Sequence, residues 1–482
     1  MSEDDSSLRR VLGLTQVTAS GVGIIIGAGI YVLLAPATAH AGGLVWLSFL
    51  LAAALCGLTG MAYAELASMF PRAGAEYEYT RQVAPEPVAF VVGWVMAVGL
   101  VIAAATISLG FGRYLQTFVD VDERFGAWGL LVLVTLVGWT GIRRASWLVL
   151  ALTAVQMGGL LVVIAIGVDH IGQVDLLSGN GVGGVASGAA LVFFAFIGFD
   201  EVITLSEETV DPTRTIPRAL VLALGLSALL YAGTAIAAVS VLSVDPLASS
   251  SRPLTDVVAH AMGGSAERSM AVVALLTTTN TTLLAVTAAS RILYGMAESR
   301  SLPAVMARLN RRRAPGVSIV MVVLVAAGFV AIGDLGLVAG ATDVAVYVVF
   351  LAVNAVVVIL RIRRPEAPRP FRIPGAVGRV PIVPLLGIVA TLVMMPRLDL
   401  GSLLLGAALV AAGAVVAVVR PSAREVAPVE APDRDDHEGG RSAEEHAEVA
   451  QVDPVHDGSA ADRVVERREP SEPGDPVRDR GE

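Results

Sequence analysis

Apolar stretches long enough to cross a bilayer, about 20 residues each, recur from Val17 to Val419, and loops holding Arg, Pro and Gly separate them. The pattern predicts twelve membrane-spanning helices, over residues 15–38, 44–69, 88–112, 127–142, 147–168, 184–208, 217–242, 270–297, 317–333, 337–362, 381–396 and 399–419; the fourth, ninth and eleventh are short. After residue 420 the pattern stops. The remaining chain, with the run EVAPVEAPDRDDHEGGRSAEEHAEVA, is rich in Pro, Glu, Asp and Arg and poor in large apolar residues. Such a segment cannot bury enough surface to fold alone and is expected to be disordered. The chain thus reads as an N-terminal segment (1–14), a membrane domain (15–420) and an acidic tail (421–482). The first span follows SEDDSSLRR and lacks a small-residue cleavage site, so no cleavable signal peptide is expected.

Composition supports this reading. The chain is 55% hydrophobic and 16% charged, with a mean hydropathy of +0.71, outside the range of soluble domains. The net charge of −9 belongs to the tail: residues 421–482 hold 18 Asp and Glu against 8 Arg, whereas residues 1–420 hold 25 against 26. There is no lysine. The single cysteine, Cys56, sits in an apolar span, where it reads as a small packed residue and allows no intrachain disulfide or thiolate cluster. Arginine placement sets the orientation. With a cytoplasmic N-terminus, the inside loops hold Arg9, Arg10, Arg72, Arg81, Arg143, Arg144, Arg214, Arg218, Arg308 and the cluster 311–313, and then the arginines from Arg361 to Arg379. The outside loops hold Arg113, Arg124, Arg252, Arg268 and Arg397. An even number of spans returns the tail to the cytoplasm. The reading is a multi-pass protein of the cell membrane, with the lipid bilayer as its surroundings and no nucleic-acid partner.

Residues 19–31 read ASGVGIIIGAGIY, with four glycines in one span, although each interior helix glycine costs about 1 kcal/mol relative to alanine. Helix packing is one reading, since Gly23 and Gly27 form a GxxxG pattern. A nucleotide-binding glycine loop needs a soluble strand–turn–helix context that is missing here. A helix break is the third reading: transporters use discontinuous helices whose exposed backbone groups bind substrate at mid-membrane. The sixth span repeats the trait. Its run GAALVFFAFIGFDEVITLSEE carries Gly198 near the middle, followed at once by Asp200 and Glu201, and charges at that depth are costly and point to function. Interrupted spans five apart are the mark of an inverted five-plus-five repeat.

The chain resembles the amino acid–polyamine–organocation (APC) superfamily of permeases over about residues 10–400. The resemblance rests on ordered motifs: GVGIIIGAGIY in span 1, YAELASMFPRAGAEYEY closing span 2, FFAFIGFDEVITLSEETVDPTRTIPRAL in and after span 6, ASRILYGMAESRSLP at span 8, and RPFRIPG before span 11. It implies an all-α, leucine-transporter-type fold: ten core helices in a 5+5 inverted repeat with helices 1 and 6 broken, and two further helices. It also implies that a substrate carboxylate sits on free backbone N–H groups at Ala28 and Gly29, beside Gly27, where a half-helix N-terminus favours an anion. The substrate ammonium would sit on carbonyls of Ile25, Phe194, Ala195 and Ile197. Phe196, Phe199 and residues of spans 3, 8 and 10 would then read the side chain, with Phe194 as a bulky cover.

Coupling is less determined. Asp200 reads as a proton-coupled acid, an attractor for a cationic substrate, or a cap for the second half-helix; Glu65 and Asp343 are lesser candidates for the same roles. Some relatives carry a lysine in span 5, but the matching residue is Gln156, whose amide bridges helices and does not release a proton. Sodium held by span 1 carbonyls and span 8 hydroxyls, or exchange without an ion, stays open. Glu207, Glu208 and Asp211 near Arg214 and Arg218 form a candidate inside latch. The expected function is a secondary transporter for a neutral α-amino acid, driven by protons, with no cofactor beyond a transported proton or sodium ion. A cationic amino acid or polyamine permease is the alternative within the class. A membrane enzyme lacks its usual HExxH or GxSxG signatures, and an amino-acid sensor that moves nothing is the other-class alternative.

Overall fold

The computed structural model describes residues 12–70, 75–139, 146–199, 201–204, 209–312 and 314–419. The tail expected at 421–482 lies outside them, as do Asp200, Glu207 and Glu208. What is described is a bundle of α-helices. Seven helical runs are long and apolar enough to cross a membrane, and Leu14–Ile25, Gly181–Phe196, Gly316–Ile332 and Ile382–Arg397 are shorter apolar helices. Each of the twelve expected stretches carries helix.

The first expected span is two half-helices, α1 (Leu14–Ile25) and α2 (Gly29–Ala41). A short 3-10 turn leads into α3 (Val45–Met69). Then come α4 (Ala75–Arg81), α5 (Glu86–Leu115), α6 (Glu123–Trp139) and α7 (Ser146–Val168). The sixth stretch is divided as well, into α8 (Gly181–Val192), a 3-10 turn (Phe193–Phe196) and the short α9 (Glu201–Thr204). The chain continues through α10 (Pro212–Leu242), α11 (Val244–Ser249), α12 (Pro253–Met262) and α13 (Gly264–Glu298). It closes with α14 (Gly316–Ile332), α15 (Leu335–Arg363), the two-residue strands β1 (Ala376–Val377) and β2 (Val380–Pro381), α16 (Ile382–Met394) and α17 (Leu400–Val419).

Polar punctuation sets several of these ends. Asp334 caps α15 by accepting the Leu337 N–H at 3.0 Å, and Pro253 opens α12 where its missing N–H is not needed. The spans of α5 and α13 overrun the hydropathy pattern at both ends, because a helix continues past the apolar stretch wherever polar residues such as Glu267 and Arg268 keep good propensity. The short helices α4, α11 and α12 and the hairpin carry no membrane-length pattern, so hydropathy does not predict them.

Helix α5 lies at the centre. It is apolar all round and buried along most of its length, as such a helix must be. Its run of Ala, Gly and Ser lets α13 and α15 approach closely. Leu136 on α6, Leu161 on α7, Leu229 on α10, Leu324 on α14 and Leu404 on α17 are exposed on the periphery, where a bilayer supplies the apolar solvent. Half-helix α1 packs on α10, and α2 packs on α8. At one end of the bundle the Val210 N–H donates to the Leu12 carbonyl at 2.9 Å, tying the chain before the first break to the chain after the second.

Candidate functional site

Both glycine-marked spans break about midway. After α1, Ile26 turns extended (ψ 90°), and α2 starts only at Gly29. Three consecutive β-branched isoleucines, 24–26, weaken the helix at this point. Lost backbone hydrogen bonds must be replaced inside a membrane, and side chains from three other helices replace them. The Gly27 N–H donates to the Tyr231 hydroxyl at 3.3 Å and the Ala28 N–H donates to Thr281 Oγ1 at 3.0 Å. Gln156 donates its amide N–H to the Ile26 carbonyl, and its own backbone carbonyl accepts the Tyr31 hydroxyl at 2.8 Å. Gln156 thus bridges span 5 to the first break.

The second break follows the 3-10 turn. Ile197 is extended (ψ 137°), and Gly198 has φ +107°, a conformation that glycine adopts without strain. The two breaks touch. A Cβ added to Gly29 would stand 2.5 Å from Ala195 Cα and 2.6 Å from its Cβ, so only glycine permits this approach. The Tyr231 hydroxyl clamps them, within 3.0 Å of the Ile25 carbonyl and 3.2 Å of the Ala195 carbonyl.

A cavity of about 60 Å³ lies between the breaks. Of the residues expected to meet a substrate, Ile25, Gly27, Gly29, Phe194, Ala195 and Ile197 line it. Ala28 does not; it is fully buried, and its N–H is already held by Thr281. The expectation of free carbonyls also needs correction. Tyr231 approaches those of Ile25 and Ala195, and the Phe194 carbonyl accepts the Ile197 N–H at 3.2 Å. The N–H groups of Gly29, Ile30 and Tyr31 open α2 and lack an acceptor within the helix, whose first such bond is Val32 N–H to the Ala28 carbonyl at 3.1 Å.

Phe196 and Phe199 are not on the cavity wall. The 3-10 turn and the Gly198 twist send Phe196 against Tyr231, with ring centroids 5.2 Å apart, and Phe199 between Tyr63 and Phe350, at 5.7 and 5.4 Å. Spans 3 and 8 complete the wall with Leu100, Ala103, Ile107, Asn280, Thr281, Leu284 and Ala285; span 10, expected there too, is not part of it. Asn280 escaped the sequence reading. It is almost fully buried, its amide N–H reaches Thr153 Oγ1 at 3.5 Å, and its Oδ1 has no donor among the described residues. The signal was one amide in the run TTTNTT.

Glu65 is not a free acid. It accepts from Arg361 Nε at 3.0 Å and from Arg361 Nη2, stands 3.4 Å from Arg369 Nε, and accepts the Ile373 N–H at 2.9 Å. Two guanidiniums and a backbone donor surround its carboxyl group, which anchors the RPFRIPG loop to α3. Of the candidate latch, Asp211 and Arg214 form an exposed pair at 3.9 Å, a contact worth little, and Arg218 is exposed on α10.

Apolar helices of membrane length, two of them interrupted where they meet beside a cavity, form a polytopic membrane protein built like a transporter. Comparison with known proteins makes this specific. The family model described as "Amino acid permease" matches residues 12–416. An uncharacterized transporter of Mycobacterium tuberculosis is 30% identical over 86% of this chain and 92% of its own. The branched-chain amino acid permease BcaP of Bacillus subtilis is 27% identical over 82% of this chain and 89% of its own. The vacuolar cationic amino acid transporter 2 of Arabidopsis thaliana is 31% identical over 78% of this chain and 64% of its own. The chain belongs to the amino acid permease family, within the APC superfamily, a family of transporters rather than enzymes.

Proposed function

We propose that this permease is a secondary transporter that moves a neutral α-amino acid across the cytoplasmic membrane by alternating access, in symport with protons. It would use a leucine-transporter-type arrangement of two inverted five-helix repeats whose first helices are α1–α2 and α8–α9, with both termini cytoplasmic as the arginine bias favours. The observation that carries the reading is the cavity between the two breaks. Gly29, the first residue of α2, is on one wall, and the N-terminus of a half-helix is suited to a carboxylate. Asn280 Oδ1 offers an unused acceptor for an ammonium group. The rest of the lining is largely aliphatic, and no charged side chain among the described residues belongs to it. That favours an apolar substrate side chain over a cationic one, in keeping with the branched-chain amino acid permease among the relatives. Phe194 is the bulky group on the wall, so the small cavity admits a substrate when the 3-10 turn that carries it moves.

A ligand that binds the folded protein raises its melting temperature. Leucine, leucine methyl ester and isoamylamine are compared on the purified protein. Stabilisation by leucine alone is expected, since the other two lack the free carboxylate. Equal stabilisation by isoamylamine would sink the zwitterion site.

A further inference from the structure

Asp343 lies on α15, is 0% exposed and does not line the cavity. Neither of its oxygens has a hydrogen-bond partner among the described residues. The Phe194 N–H approaches the carboxyl without closing a hydrogen bond. The titratable groups around it offer no cation. Tyr347 is one turn further along and donates its hydroxyl to the Ala190 carbonyl at 3.1 Å, with Cys56 of α3 beside it. Asp399, just before α17, is occupied by Ser402 at 2.5 and 2.9 Å. Helices α8, α16 and α17 contain no charged residue, and those of α5 stand at its ends. Arg361 is bound to Glu65 about 27 Å along the same helix.

An ionised carboxylate without a partner is costly at this depth, and the neutral acid is far less so. Ionisation therefore needs water to reach the group. Phe194, whose backbone it faces, is also on the cavity wall, so movement of the 3-10 turn opens or closes that access. The chain has no lysine to carry charge instead, and Glu65 is held between arginines.

Resting on the transporter reading above, we propose that Asp343 is the proton carrier of the transport cycle. Its carboxylate takes a proton from water on one side of the membrane, crosses the closed state as the neutral acid, and returns the proton to water on the other side. Substrate and proton sites communicate through the Phe193–Phe196 turn.

The full chain in proteoliposomes is compared with D343N and D343E. Substrate-driven proton movement and accumulation of leucine against its gradient are expected to be lost in D343N and restored in D343E. Counterflow of labelled leucine, which needs no net proton movement, persists in D343N. Infrared spectra are expected to show a protonated-carboxyl band that disappears in D343N. Accumulation or proton movement in D343N would overturn the assignment. So would loss of counterflow together with accumulation, which marks a structural residue, or an unchanged infrared band. Absence of counterflow by the unsubstituted protein for every α-amino acid strikes the transporter reading instead, and the infrared difference still decides the state of Asp343.

Discussion

Single residues decide how the two breaks meet. Gly29 faces Ala195 so closely that a side chain has no room. Gly29→Val is therefore expected to push the breaks apart and abolish leucine binding while the protein still inserts; this is read as loss of the ligand-induced rise in melting temperature, and normal affinity in the variant would refute the site. The glycines were legible in the sequence because four in one span have no cheap explanation. The directions of Phe196 and Phe199 were not, because in a buried segment apolar side chains surround the backbone and no polar face gives the rotation. The 3-10 turn and the positive φ of Gly198 turn those rings away. Tyr231 and Asn280 were missed for a related reason: a lone polar tip on an apolar span carries no periodic signal, and only the fold shows that Tyr231 reaches both breaks.

Elements are held in register by polar anchors as well as by packing. The Glu65–Arg361–Arg369 cluster ties α3 to α15 and to the loop that precedes α16. Removing one partner of a buried ion pair leaves an uncompensated charge and costs about 3–5 kcal/mol. Glu65→Gln leaves two guanidiniums unpaired, whereas Arg361→Gln leaves Glu65 paired with Arg369. Glu65→Gln is thus expected to be the more destabilising, measured by thermal unfolding in detergent; the reverse order would mean that the anchor lies elsewhere. Hydropathy gave the twelve helical stretches well, since apolar length is what a bilayer demands. It could not give the polar extensions of α5 and α13 or the short helices α4, α11 and α12, whose lengths no membrane sets. Glu65 was visible as a charge in a span, but its partners lie about 300 positions away in the chain.

At the scale of the whole molecule, the family match covers the helical bundle, residues 12–416. The acidic residues 421–482 fall beyond that match. Truncation after Arg420 is accordingly expected to leave leucine transport by correctly inserted protein intact, and a loss of flux would assign the tail a part in the cycle. The central claim is that the cavity between the breaks serves proton-driven movement of a neutral α-amino acid. Uptake of labelled amino acids by proteoliposomes, with a proton gradient, a sodium gradient or neither, tests it most directly. Concentrative uptake of a neutral α-amino acid under the proton gradient alone is the expected result. Binding without flux under every gradient, even in vesicles preloaded with the same amino acid, would contradict the account and make the protein a sensor.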